Sequence, residues 1–403
     1  MGIPVPVAAS MRIAIYCDVN SRGGVWTYTC DLAAELRGLE HEVAIVSHEP
    51  QDAFQEQVLA NLRSSSSAVV ELPPEGELGQ SVDRLHAALL GIRPDVFLPN
   101  YRLVPFAAAA RLAASGCRIV GVAHSDHESS YRQLRRFERA LARIVAPTAV
   151  IDDRLRRRIP HRAADIVCIP HGVRELAGVR PSFEGGRLNL LYFGRLNEDS
   201  KQVSRLLDLA EMLVRRQADI RLTIVGDGPS ASDLASRAAA PHLSERVRVL
   251  PSVGAEKLGH YIAESHVFVL TSAYEGFCLS LAEGMRAGLP AVAFACGGVI
   301  ETYLLDGRNG YVCPQGDVSA LADRVLQIQG SPELWRELSA AATGEVADKF
   351  SWGAAGARYT GLFREALADA RSFSWPRLRP TWMPPGRSAR SIVERVGTVV
   401  RFW

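Results

Sequence analysis

The strongest constraint on this chain is its rhythm: short, unbroken apolar runs set between longer stretches of helical period. Arg12–Cys17, Val43–Val46, Asp95–Leu98, Arg118–Ala123, Ala142–Val145 and Asp165–Ile169 read as buried strands, with Trp26–Leu36 and Leu103–Ala114 among the helices between them. A strand that is apolar throughout has both faces covered, and strands joined by helices run parallel. The pattern predicts a doubly wound α/β domain. The rhythm then starts again, with strands at Leu188–Phe193, Arg221–Val225, Val247–Leu250, Val267–Leu270 and Pro290–Phe294, and helices including Val203–Arg215 and Leu279–Ala287. Between the two series lies Arg174–Arg187, where Gly178, Pro181, Gly185 and Gly186 mark a linker. Two tandem Rossmann-like domains are expected, at 11–178 and 187–349, followed by one more helix over Phe350–Ala370 and a tail at 371–403.

Composition removes several classes. The net charge of +2 gives no bulk attraction to nucleic acid. Seven scattered cysteines without a C-x-x-C pair read as free thiols of a reducing cytoplasm, not as a disulfide framework or a zinc site. The first ten residues lack the basic start of a secretory signal, and Pro6 stands where N-myristoylation wants Ser or Thr. No apolar run reaches the ~20 residues of a membrane-spanning helix. No Asp-x-Asp motif occurs, so neither a metal nor another cofactor is expected.

Ligands of open parallel sheets bind at the carboxyl ends of the strands. Four glycine-centred features fall there. Gly23-Gly24 follows the first strand and suits a phosphate beside a helix start, or a plain tight turn. The dinucleotide fingerprint G-x-G-x-x-G is absent, which argues against an NAD-type oxidoreductase. Gly194-Arg195 with Lys201 offers two cations to a diphosphate; alone, they read equally as surface charges. Glu275-Gly276-Phe277-Cys278-Leu279-Ser280-Leu281-Ala282-Glu283 begins in a turn and runs into a helix. At roughly 1.5 Å per helical residue its two carboxylates stand ~10 Å apart, too far to share a proton but suited to one long ligand gripped twice. The helix N-terminus between them would face phosphates. Gly297-Gly298 is a further strand-to-helix turn.

Taken together, these features resemble the retaining glycosyltransferases of family 4, which have the GT-B fold. Glu275 and Glu283 match the family's glutamate, seven residues, glutamate signature, and Gly288-Leu289-Pro290 its following Gly-x-Pro turn. Gly194-Arg195, Lys201, Val225-Gly226-Asp227-Gly228-Pro229 and Ile169-Pro170-His171-Gly172-Val173 match further family stretches, and the resemblance runs from about Met11 to Ala370. It implies a nucleotide-sugar donor in the second domain and a hydroxyl acceptor in the first. It also implies a last helix that returns to the first domain. Glu283 would hold the ribose and Glu275 the transferred sugar; Arg195 and Lys201 would hold the diphosphate, helped by backbone N–H groups at Gly24, Leu279 and Ser280. Gly23, Gly194, Gly226, Gly276, Phe277 and Cys278 would complete the donor site, and His124 would line the sugar near the reacting carbon. The implied chemistry is a metal-independent, same-face transfer with retention. A nucleotide-sugar binder without activity and a nucleotide-sugar epimerase are the competing readings.

This chain departs from the family at Cys278 (usually glycine), Gln202 (frequently glycine), His171 (usually asparagine) and Gly284 (commonly alanine). Two basic stretches bear on the acceptor. Arg132 to Arg162 holds ten arginines, and Tyr131, Leu134, Phe137, Leu141 and Ile144 are expected on the apolar side of its helix. Arg371–Trp403 holds seven more, with Ile392, Val393, Val396, Val399 and Val400 at helical spacing. Either these lie on an anionic membrane, or they pack on their own domain with a solvated basic face. The expected location is the cytoplasm, with peripheral contact at the inner face of the membrane under the first of these readings.

Overall fold

A computed structural model of the chain describes residues 10–19, 23–175 and 178–373. The first ten residues other than Ser10, and the helical spacing at Ile392–Val400, lie outside the described residues. The first sheet has seven strands, β1 (Arg12–Tyr16), β2 (Glu42–His48), β3 (Ala68–Leu72), β4 (Val96–Leu98), β5 (Arg118–Val122), β6 (Leu141–Ala146) and β7 (Ile166–Cys168), in the order β3-β2-β1-β4-β5-β6-β7. The second has β8 (Leu188–Phe193), β9 (Ile220–Val225), β10 (Val247–Leu250), β11 (Val267–Leu270), β12 (Ala291–Phe294) and β13 (Gly310–Cys313), ordered β10-β9-β8-β11-β12-β13. Neighbouring strands pair in parallel, for example Ile13 with Val43 and Leu190 with Leu222. This is the α/β architecture of two Rossmann-like halves that the sequence pattern predicts.

Strand alternation divides the first core in two. Ala14 and Tyr16 point into one buried cluster, while Ile13 and Ile15 point into the other. The helix Trp352–Ala368 completes the second cluster with Ala355, Tyr359, Leu362 and Phe363, so the chain returns to its first half. The Tyr28 and Tyr359 hydroxyls bond at 2.8 Å, and His41 Nε2 meets Thr360 Oγ1 at 3.1 Å. These contacts give the returning helix polar as well as apolar anchors.

β3 and β13 were not legible as strands. Three of the five residues of the edge strand β3 are only partly covered, so the unbroken apolar signal of a central strand is missing there, while β13 is buried but short and opens on Gly310. A second correction concerns the basic stretch. Tyr131, Leu134 and Phe137 do face inward on the helix Glu128–Phe137, but Leu141 and Ile144 belong to β6. The helix stops there because Glu138-Arg139-Ala140 turns the chain into an apolar run that includes β-branched Ile144 and Val145.

Two strand-end loops of the second half are pressed together. A Cβ on Gly226 would lie 1.9 Å from the Gly194 carbonyl oxygen, and one on Gly228 2.1 Å from that of Leu196. Gly226→Ala should therefore cost about 3 kcal/mol through backbone displacement. Gly91→Ala, inside the helix Leu78–Ile92 where a Cβ meets open space, should gain about 0.5–1 kcal/mol. Urea midpoints of the two variants check both signs.

Candidate active site

The loop between β11 and the helix Leu279–Arg286 carries the densest set of expected residues. It is fixed from several sides. Thr271 Oγ1 donates to the Lys201 carbonyl at 2.9 Å, Ala273 N–H to that of Ser200 at 2.8 Å, and the Tyr303 hydroxyl to that of Phe277 at 2.5 Å. Phe277 is buried against His171, Tyr303 and Phe350. Cys278 turns the chain into the helix with φ of +67°, the left-handed region that favours glycine. Its side chain does not cap the helix, so Leu279 and Ser280 begin the first turn without a side-chain partner for their N–H groups. Burial and the neighbouring Glu275 push the Cys278 thiol up to about 12, which makes it inert.

Glu275 and Lys201 meet directly. Lys201 Nζ lies 2.5 Å from Glu275 Oε1, with 18% and 8% of the two side chains exposed. Ser272 Oγ donates to the same carboxylate oxygen at 2.6 Å. Burial opposes the charge on Lys201, yet Glu275, aided by Cys278 and Tyr192, holds its ammonium well above the usual range. Sequence reasoning placed these two groups on different parts of the ligand and did not foresee their pairing. Lys201 ends the short helix Glu198–Lys201, and Gln202 follows it at φ of +46°. Nearby, the Arg195 carbonyl accepts from the Tyr192 hydroxyl at 2.8 Å. Gly226 has a packing task here: its bare Cα lets the Gly194 loop approach.

The first half closes over this loop. A Cβ on Gly23 would lie 2.9 Å from Arg195 Nη2, and one on Gly24 3.4 Å from Leu279 Cδ1. The His124 carbonyl oxygen would lie 2.0 Å from a Cβ on Gly276, so only glycine fits there. Asp126 N–H donates to the Glu275 carbonyl at 3.1 Å, and the rings of His127 and Tyr274 stack at 5.0 Å. Gly297-Gly298 meets the first half too, where Arg154 Nη2 donates to the Gly297 carbonyl at 2.8 Å. The Asp126 carboxylate is committed to the Tyr131 hydroxyl, at 2.5 Å, and to Arg154. His124 rests edge-on against Tyr28 at 5.0 Å, and its Nε2 is 3.1 Å from Asn100 Oδ1. Burial pushes this imidazole down to about 3 and, with His124 beside it, also depresses His171.

Glu283 stands apart from the Lys201–Glu275 pair, toward the first half. Burial, with Asp31 adding repulsion and Arg174 opposing, pushes its carboxyl up to about 8. Asp31 is buried in the helix Gly24–Gly38 and 2.5 Å from Arg174; burial pushes it up to about 6. One guanidinium thus serves two carboxyl groups. Sequence reasoning missed Asp31 and Asn100. The signal for Asp31 was a carboxylate among the apolar positions of an amphipathic helix; Asn100 gave none beyond its place after a strand. Among the described residues no group of three His, Cys, Asp or Glu side chains is arranged to hold a metal ion.

Comparison with known proteins places the chain in a family. A family described as Glycosyltransferase Family 4 matches residues 22–175, and one described as Glycosyl transferases group 1 matches 187–330, together about three quarters of the chain. The chain is 32% identical over 176 residues to the alpha-D-kanosaminyltransferase of Streptomyces kanamyceticus, covering 44% of this chain and 45% of that enzyme's length. It thus spans less than half of that relative. It is 26% identical over 359 residues to the phosphatidyl-myo-inositol mannosyltransferase of Mycobacterium leprae, covering 85% and 93% of the two chains. Among solved structures, Anabaena HepE in complex with UDP-glucose superposes with a TM-score of 0.72 at 17% identity, over 88% of this chain and all of that one, a likeness of fold.

The Glu283 carboxyl carries a testable signature. In the folded chain it keeps its proton up to about 8, while an ordinary glutamate loses it near 4.5. Between those values folding must take up a proton, so its contribution to stability falls as pH rises through the window. Glu283→Gln removes that loss. Relative to wild type, its stability should rise from pH 4.5 to 8 by on the order of 2 kcal/mol, discounted for partial exposure. Denaturation midpoints measured across that range check it.

Proposed function

The chain belongs to the family 4 glycosyltransferases, and from that membership we propose that it transfers a sugar from a nucleoside-diphosphate sugar to a hydroxyl acceptor, with retention. The observation that carries the reading is a convergence. Gly23 meets the Arg195 guanidinium and Gly24 meets Leu279, so a glycine loop, a cation and a helix N-terminus, the three groups that suit a diphosphate, stand together. Lys201 adds its charge from beneath, tethered to Glu275. Glu283 reaches the ribose as an acceptor once it gives up its proton, or donates to it while it keeps it. The UDP-glucose bound by the structural neighbour HepE agrees with a nucleotide-sugar donor.

Retention by double displacement needs a carboxylate free to attack the sugar. Asp126, the acid closest to His124 in sequence, is held by Arg154 and Tyr131, which supports a same-face transfer instead. In that mechanism the departing phosphate takes the acceptor's proton while Arg195 and Lys201 neutralise its growing charge, with no metal ion needed. A panel of UDP-, GDP-, ADP- and dTDP-sugars, scored for hydrolysis and transfer, tests the reading; turnover of none of them sinks it. For the donor that is used, Arg195→Ala should lower kcat about 10²–10³-fold. It should move donor KM far less.

A second reading concerns the acceptor. Of the ten arginines in 132–162, Arg143, Arg154, Arg156 and Arg162 bind Asp369, Asp126, Asp152 and Asp165. Arg132, Arg135, Arg136 and Arg139 are exposed and have no ion pair among the described residues. This face supports contact with an anionic membrane at which a lipid-linked acceptor would lie. No described helix is long and apolar enough to cross a membrane. In flotation with phosphatidylglycerol-containing vesicles, replacing these four arginines by glutamate should abolish co-migration; equal flotation of both proteins overturns the idea.

A further inference from the structure

We infer that Asn100 is a positioning residue, whose side-chain amide holds His124 as the tautomer protonated on Nε2 and leaves Nδ1 as an acceptor for a substrate hydroxyl. Asn100 follows β4, is 2% exposed, and has φ of +54°. Its Nδ2 lies 2.8 Å from the Tyr16 carbonyl oxygen and 3.1 Å from Thr29 Oγ1. The carbonyl only accepts. Thr29 Oγ1 has its own proton committed to the Val25 carbonyl at 2.8 Å, so toward Asn100 it also accepts. Turned over, the amide would put Oδ1 2.8 Å from another acceptor. Two independent acceptors therefore fix which end of the amide is which.

Oδ1 is then the atom 3.1 Å from His124 Nε2, and a bond between them requires the proton on that nitrogen. Ring contacts to Tyr28, Tyr101 and His171 surround the imidazole, and no hydrogen bond to Nδ1 is made among the described residues. Burial keeps the ring uncharged at neutral pH. A neutral ring with its proton on Nε2 offers only a lone pair at Nδ1, so His124 cannot act there as an acid or as a cation for the phosphate. It selects a hydroxyl donor. The role toward the sugar rests on the donor reading above; the tautomer does not.

The full-length chain, labelled with ¹⁵N on its histidines, gives the test. Long-range ¹⁵N–¹H correlation, with His124 assigned by its loss in His124→Gln, should show a protonated Nε2 and a bare Nδ1. That pattern should not titrate between about pH 5 and 8. Asn100→Gly tolerates the positive φ but removes the amide. It should mix the two tautomers and lower kcat about ten-fold, with donor KM within about two-fold. A protonated Nδ1 in the wild type, or an unchanged His124 pattern in Asn100→Gly, overturns the proposal. Failure of every donor in the wild type would overturn the transferase reading alone, since the ring's tautomer is read without substrate.

Discussion

The ion pair between Lys201 and Glu275 is the constraint on which the strand-end loops of the second half depend. It ties the loop after β8 to the loop after β11, two chain segments 74 residues apart. Both charges are mostly withdrawn from water, and removing one partner from such a pair typically costs about 3–5 kcal/mol. Ser272 and the backbone bonds of Thr271 and Ala273 to the Lys201 segment hold the pair in register. With that register set, Gly276 lies under the His124 carbonyl and the helix N-terminus lies under Gly24. A displaced pair would move the glycine turn and the helix start together.

Glycine contacts make the closure short-ranged. Gly23, Gly24, Gly226 and Gly276 each bring backbone to within van der Waals contact of a group from a different loop. Three of the four contacts join the two halves, whereas Gly226 joins two loops of one half. The carboxyl groups work in the opposite sense. Glu283 and Asp31 come from different halves and share Arg174, which lies in the connection between them. Burial, with the repulsion of Asp31, therefore keeps the proton on Glu283 up to about 8.

The central strands of both sheets were legible because burial on two faces forces an unbroken apolar run. β3 lacked that pressure at its sheet edge, and β13 is only four residues long with Gly310 at its start. The glutamate pair and the cations were legible as residues but not as partners: spacing along the chain cannot show that Glu275 folds back onto Lys201. Cys278 and Gln202 were legible only as departures from glycine, which is common in the family at both positions. Their φ values of +67° and +46° show that the glycines are wanted for backbone conformation. This chain keeps the left-handed turns without them. Asn100 was invisible because its importance lies in which acceptors its amide faces, a property of three segments at once.

Backbone strain follows the same map. Seven non-glycine residues among those described have positive φ: Glu40, Arg93, Gln217, Asn100, Arg102, Gln202 and Cys278. The first three and Gln202 sit at the ends of helices, where a left-handed residue ordinarily stops the turn. The other three lie on the strand-end loops that carry His124's partner, the Asp18–Arg102 pair and the helix Leu279–Arg286. Each costs about 1 kcal/mol relative to an extended or helical backbone. Strain confined to one edge of two otherwise regular sheets needs cores rigid enough to hold it. Continuous clusters on both faces of the first sheet, and one through the second, supply that rigidity. The unstrained layers thus fix the loops in a geometry that the loops' own sequences disfavour, and that geometry brings Gly23 to Arg195, Gly24 to Leu279 and the His124 carbonyl to Gly276.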